Sequence, residues 1–214
     1  AFSGLFLPRT ESPTFLMHQF KYHKGTLHCE EVNLQTLAQD YGTPLYVYSS
    51  QTLRNNYKRL HEALGDLDHH IAFAVKANSN LSVLRLLADL GSGFDIVSGG
   101  ELFRVIKAGG DPKRCSFAGV GKTTEEIRYA LEQSIYCFNI ESLAELEFIN
   151  NVAGSISELA PVAVRINPNV DAQTHKYIST GKAENKFGID YEETMQVYER
   201  ASALPHIQIK GIQM

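Results

Sequence analysis

A steady alternation of strand-type and helix-type segments limits what this chain can fold into more than any other feature. Strand candidates rich in β-branched and aromatic residues lie at Leu45–Tyr48, Ile71–Val75, Phe94–Val97, Cys115–Ala118, Tyr136–Ile140, Val162–Ile166 and Ile207–Ile212. Between them, "QTLRNNYKRLHEAL", "NLSVLRLLADLG", "GELFRVIKAGG", "TTEEIRYALEQS", "SLAELEFINNVAG" and "YEETMQVYERASAL" place apolar residues at i, i+3, i+4 spacing, as Ile127, Ala130 and Leu131 show. Such a rhythm predicts a parallel sheet with helical crossovers. An open doubly wound sheet would satisfy it. The even spacing and the polar groups at the strand ends favour a TIM-type (β/α)8 barrel, present here with about seven strands and therefore incomplete, since the chain stops at "GIQM".

Ahead of this rhythm, "FKYHKGTLHCEEVNL" predicts a hairpin turning at His23, Lys24 and Gly25, and "LQTLAQDYG" predicts a helix closed by Gly42. Residues 1–16 lack the basic start and continuous apolar core of a secretory signal, so they are expected to be an unordered extension, with Met17 as the natural start. The expected organisation is this extension, a hairpin and helix over 17–44, and the barrel over 45–214.

Composition narrows the partners. The chain is 43% hydrophobic and 21% charged, enough to bury a sizeable core. A net charge of -4 gives no basic footprint for nucleic acid, and no apolar run approaches the roughly 18 residues of a membrane span. What remains is a small molecule or another protein. Three widely spaced cysteines, Cys29, Cys115 and Cys137, make a disulfide framework a poor reading and predict a reducing, cytoplasmic setting. They have no metal-ligand spacing, the His69–His70 pair shows no ligand set, and no metal is expected.

The residues that invite chemistry sit at the predicted C-terminal strand ends. Lys76 follows the apolar run "IAFAV", where an ammonium is costly to bury unless it is paired or used; a lysine that merely snorkels is the competing reading. Asp95 interrupts "GFDIV" and Arg165 lies in "VAVRINP". In a barrel these three converge on one mouth and can surround a polar ligand; alternatively, Asp95 and Arg165 form a structural ion pair at the rim. "GVGKTTEEI" resembles a phosphate loop only in part, because Ser116 stands where the first glycine should be, and it reads better as a helix start at Thr123 or Thr124 with Glu126. "GSGFD" precedes a strand and reads as a turn. The polar run 167–188 is too long for a plain connector and predicts a functional loop covering the mouth.

"FAVKAN", "GFDIVSGGEL", "GVGKTTEEI", "RINPNVDAQTHKYISTGKAENKFGI" and "IKGIQM" together resemble the N-terminal, barrel-forming half of the diaminopimelate decarboxylase family, pyridoxal-phosphate enzymes of the alanine racemase and ornithine decarboxylase type. The resemblance runs from about Phe20 to Met214. It implies that Lys76 carries pyridoxal 5'-phosphate through its amine. Condensation needs the neutral amine, and the apolar neighbours predict a partly buried position. Asp95, Glu101 and Arg165 are implied to line or support the cofactor pocket, Arg165 on the side of the ring hydroxyl. His175 and Lys186 fall in the covering loop, near the substrate. The implied reaction converts meso-2,6-diaminopimelate to L-lysine and carbon dioxide, in a homodimer whose sites borrow residues from the partner subunit.

The resemblance also implies parts that this sequence lacks: a ring-stacking histidine just after Met214, a glycine-rich phosphate loop, a carboxylate for the pyridine nitrogen and a C-terminal β domain. The stretch alone is therefore expected not to catalyse. An ornithine, arginine or carboxynorspermidine decarboxylase is the nearer alternative, against which "HKYISTG" speaks; a non-catalytic barrel relative is the other, against which the retained Lys76 speaks.

Overall fold

Residues 18–168 and 187–214 are described by the computed structural model, which separates the chain into two units between Ala63 and Leu64. In the first, β1 (Phe20–His23) and β2 (Thr26–Cys29) pair antiparallel with His23 opposite Thr26. Lys24 and Gly25 make the two-residue turn at φ 48° and 80°, the doubly positive conformation that matches strand twist. Next come β3 (Val32–Asn33), paired with β2, and α1 (Leu34–Tyr41), capped by the Asn33 side chain and closed by Gly42 at φ 79°. Helix α2 (Ser50–Leu64) starts on Glu30, whose carboxylate accepts from the Gln51 N–H at 2.8 Å and the Ser49 hydroxyl at 2.8 Å, contacts that hold its pKa low. The strand expected at Leu45–Tyr48 is not formed. Leu45, Tyr46 and Tyr48 are exposed, and the segment has no hydrogen-bonded neighbour strand among the described residues. Strand-type side chains favour extended backbone, but only a paired neighbour makes it a strand.

The second unit repeats one plan: β4 (Ala72–Ala74), α3 (Leu81–Asp89), β5 (Gly93–Ile96), α4 (Gly99–Lys107), β6 (Cys115–Phe117), α5 (Thr124–Glu132), β7 (Cys137–Ile140), α6 (Leu143–Ser155), β8 (Ala160–Asn167), β9 (Ile189–Asp190), α7 (Thr194–Ala203) and β10 (Ile207–Gln213). The sheet runs β4-β5-β6-β7-β8-β10 with every pair parallel, and β9, which the sequence reading did not expect, pairs with the last two residues of β8. Strand order follows chain order without reversal. A doubly wound sheet needs a reversal point, so the winding is that of a barrel.

Strand parity then separates core from site. Phe94, Ile96, Phe117, Phe138, Ile140, Val162 and Val164 have no exposure, and neither do the helix residues Leu84, Leu102, Val105, Ile127, Leu146 and Ile149. Positions of the opposite parity, which point to the other sheet face, are Asp95, Ser116, Cys137, Asn139 and Arg165. At the foot of β5, Gly93 has no room for a side chain, because a Cβ would run into the His70 imidazole and the Arg114 carbonyl. Among the described residues, no helix is long and apolar enough to cross a membrane.

Candidate active site

Lys76 is placed by a turn rather than a strand. Strand β4 ends at Ala74, and residues Val75–Ala77 form a single 3-10 turn, closed by the Asn78 N–H on the Val75 carbonyl at 3.0 Å. Val75 is fully buried and anchors the turn, while Lys76 is exposed, so the partial burial expected for it is not found. The reason is local: the 3-10 turn breaks the alternation that would have turned Lys76 along the sheet face. Two asparagines complete the connection. Asn78 accepts from the Asn80 N–H at 3.0 Å, and Asn80 caps α3 by accepting from the Ser82 N–H at 2.9 Å.

Asp95, near the end of β5, lies within electrostatic reach of both Lys76 and Arg165. Burial raises its carboxyl above the ordinary range, and the two cations pull it back only in part. Arg165 does not pair with Asp95. Its Nη1 donates to Glu141 Oε1 at 2.8 Å, and its guanidinium lies 5.5 Å from the Phe187 ring centre. The rim ion pair considered from sequence thus exists with a different acid, Glu141, which the sequence reading missed.

Glu141 belongs to a chain of buried polar contacts. Its backbone N–H donates to Glu145 Oε2 at 2.7 Å, and Glu145 Oε1 accepts from Lys122 Nζ at 2.6 Å. Lys122 also donates to the carbonyls of Gly119 at 2.7 Å and Asn139 at 3.1 Å, which uses all three ammonium donors. The lysine of "GVGKTTEEI" is therefore a buried strut, its side chain 1% exposed. The helix start next to it is at Thr123, in a full capping box with Glu126. Burial alone would raise the Glu126 carboxyl, but N–H groups of Gly99 and Thr123, the Thr123 hydroxyl and the Lys122 charge hold it below its ordinary value.

Glu101 is placed in a cap as well: its carboxylate accepts from the Val97 N–H at 2.8 Å, while its own N–H donates to Ser98 Oγ at 3.2 Å. His175 and Lys186 lie outside the described residues. The cysteines are free and buried; burial and Asp111 push the Cys115 thiol up to about 12, so it is no nucleophile. Among the described residues, no group of three histidines, cysteines or acids could hold a metal.

Residues 50–214 match the family described as pyridoxal-dependent decarboxylase, pyridoxal binding domain. The chain belongs to the pyridoxal-dependent decarboxylases. Among curated relatives of this decarboxylase domain, the diaminopimelate decarboxylase of Vibrio cholerae is 54% identical over 197 residues, and that of Haemophilus influenzae 52% over 196. Each alignment covers 92% of this chain and 47% of the relative, so the chain spans about half the length of the curated relatives it matches. A crystal structure of the M. jannaschii diaminopimelate decarboxylase in co-complex with L-lysine superposes with a TM-score of 0.82 at 38% identity, covering 91% of this chain and 46% of that one.

The residues present fit the cofactor that the name of this decarboxylase domain implies. Pyridoxal phosphate brings an aldehyde and negative charge; the described strand ends offer an exposed primary amine at Lys76 and a guanidinium at Arg165, with the Asp95 carboxyl within electrostatic reach of both. Glu141 Oε2 is buried without a hydrogen-bond partner among the described residues, an acceptor open to an N–H or O–H donor. A sequence signal for Glu145 did exist, though none for Glu141, which stands outside it. Ser98–Glu101, Thr123–Glu126 and Ser142–Glu145 repeat one Ser/Thr-x-x-Glu spacing at three successive strand–helix junctions.

Proposed function

We propose that the whole protein of which this chain forms the pyridoxal-binding part decarboxylates meso-2,6-diaminopimelate, giving L-lysine and carbon dioxide. Three things support this reading: the family match, the roughly half-identical relatives that bear the diaminopimelate decarboxylase name, and the resemblance of the M. jannaschii enzyme that holds L-lysine. The observation that carries it is Lys76, an exposed amine just past the C-terminal end of a barrel strand, within electrostatic reach of Asp95, which Arg165 reaches as well. Residues 45–214 are the barrel part in this reading, and 17–44 its lead-in.

Lys76 would hold the cofactor aldehyde through its amine, and Arg165 and Asp95 would flank it. When bound, the pyridoxal ring supplies an electron sink for the pair left by the departing carboxylate. The protein residues bind and orient. Arg165, fixed by Glu141, presents a directed positive charge to an oxygen of the ligand, and Asp95, its carboxyl raised by burial, lies within electrostatic reach of both Arg165 and Lys76. Glu101 fixes the start of α4, and His175 and Lys186 would act on the substrate side. The reading includes a cytoplasmic homodimer, which light scattering on the full-length protein tests.

The deciding experiment is Lys76→Ala in the full-length protein, assayed for carbon dioxide release from meso-diaminopimelate, ornithine and arginine. Turnover of the first substrate should vanish in the variant while the fold survives by circular dichroism. Residual activity within tenfold of the parent, a barrier change of only about 1.4 kcal/mol, would refute the role of Lys76, and a preference for ornithine or arginine would refute the substrate.

A further inference from the structure

We infer that Glu141 is a positioning residue for Arg165, held in place by the buried Glu145–Lys122 pair; the inference rests on the proposed reading of Arg165 as a ligand-facing group. The Glu141 side chain is 4% exposed and that of Arg165 is 29% exposed. An exposed ion pair contributes little, but an acid this deeply buried must have a partner, and Arg165 donates to it at 2.8 Å. Arg165 therefore cannot turn away from the sheet end without leaving a buried carboxylate unpaired.

The backbone of Glu141 is fixed in turn. Its N–H is tied to Glu145, whose other oxygen takes an ammonium with no donor left over. Lys122 follows β6, Glu141 follows β7 and Arg165 stands on β8, so the network links three neighbouring strand ends through contacts 23 and 24 residues apart in sequence. A turn of this kind closes without the pair or the acid. The turn from β5 into α4 makes the same Ser–Glu cap with Val97 in place of Glu141, and no lysine is paired to its Glu101 among the contacts described. Residues kept beyond what the turn requires serve the guanidinium they reach. The ligand atom that such a fixed guanidinium suits is an anionic oxygen, of the cofactor or of a carboxylate substrate.

The test uses the full-length protein with Glu141→Ala, Glu141→Gln, Arg165→Ala and the Glu141→Ala/Arg165→Ala double variant. Crystal structures read the guanidinium position directly, and absorbance titration with pyridoxal phosphate reads affinity. We expect the guanidinium to be displaced or spread over conformers in Glu141→Ala and retained in Glu141→Gln, which keeps an acceptor. Cofactor affinity should fall about tenfold in Glu141→Ala, and the double variant should be no weaker than Arg165→Ala alone, as residues acting through one another require. An unmoved Arg165 in Glu141→Ala, or losses that multiply in the double variant, would overturn the inference. Should Glu141→Ala fail to fold, loss of guanidinium order in Glu141→Gln with affinity unchanged would overturn it as well. A parent protein that releases no carbon dioxide while Arg165 moves as expected would refute the proposed function and leave the positioning intact.

Discussion

The turn from β5 into α4 and the turn from β7 into α6 share one backbone and differ in what they carry. Ser98 sits at φ −158°, ψ 159° and Ser142 at φ −158°, ψ 161°. Each hydroxyl accepts from the N–H of a glutamate three residues on, at 3.2 and 3.1 Å, and each glutamate reaches back to the N–H before the serine, at 2.8 and 2.7 Å. The residue before the serine is Val97 in one turn, 37% exposed, and the buried Glu141 in the other. The second turn also buries Lys122 against its glutamate. Local capping chemistry thus supplies a repeated scaffold, and the exchange of Val97 for Glu141 before the serine adds an acceptor for the Arg165 guanidinium, which we propose faces the ligand.

The largest effect separating the turns should come from their glutamates. Glu145→Ala strips the partner from a lysine with a 1% exposed side chain and should cost about 3–5 kcal/mol, whereas Glu101→Ala removes a cap contact for about 1 kcal/mol. Denaturant unfolding of the full-length variants measures both; equal losses would break the comparison. A sharper form adds Lys122→Met to Glu145→Gln, which keeps an acceptor for the Glu141 N–H and removes the stranded charge. That double variant should unfold at a higher denaturant concentration than Lys122→Met or Glu145→Gln alone.

Ser98→Ala and Ser142→Ala should each cost about 1 kcal/mol, because the two caps have the same geometry. Thermal unfolding of the pair checks this, and a several-fold difference between them would mean that the turns are alike only in outline.

The smallest effect is a contrast in pH dependence between Asp95 and Glu126. Asp95 has its pKa raised above the ordinary 3.8, so the folded chain binds that proton more tightly than the unfolded one, and stability falls as pH climbs from 3.8 through the raised value. Glu126 is held below its ordinary 4.5, so its contribution is present above 4.5 and lost as pH falls through the lowered value. Asp95→Asn should therefore gain stability relative to the parent as pH rises towards neutral, and Glu126→Gln should lose most there. Unfolding curves across this range decide it, and two variants that respond to pH with the same sign would contradict both assignments.

The sequence by itself determined the alternation of parallel strands and helices, the Lys24–Gly25 turn, the Gly42 stop, a helix start at Thr123 or Thr124 and the location of Lys76, Asp95 and Arg165 at or next to strand ends. Each of these depends on a residue's own conformational preference or on partners within one turn or one period, which a short window contains. Tertiary structure alone decided that Leu45–Tyr48 lacks a strand partner and that Arg165 takes Glu141 rather than Asp95. Those outcomes depend on which groups the folded sheet brings together. The Lys122–Glu145 and Arg165–Glu141 contacts join residues 23 and 24 positions apart, across neighbouring strands. No local pattern records such a pairing, because its energy comes from burial of opposite charges that become neighbours only when the strands align.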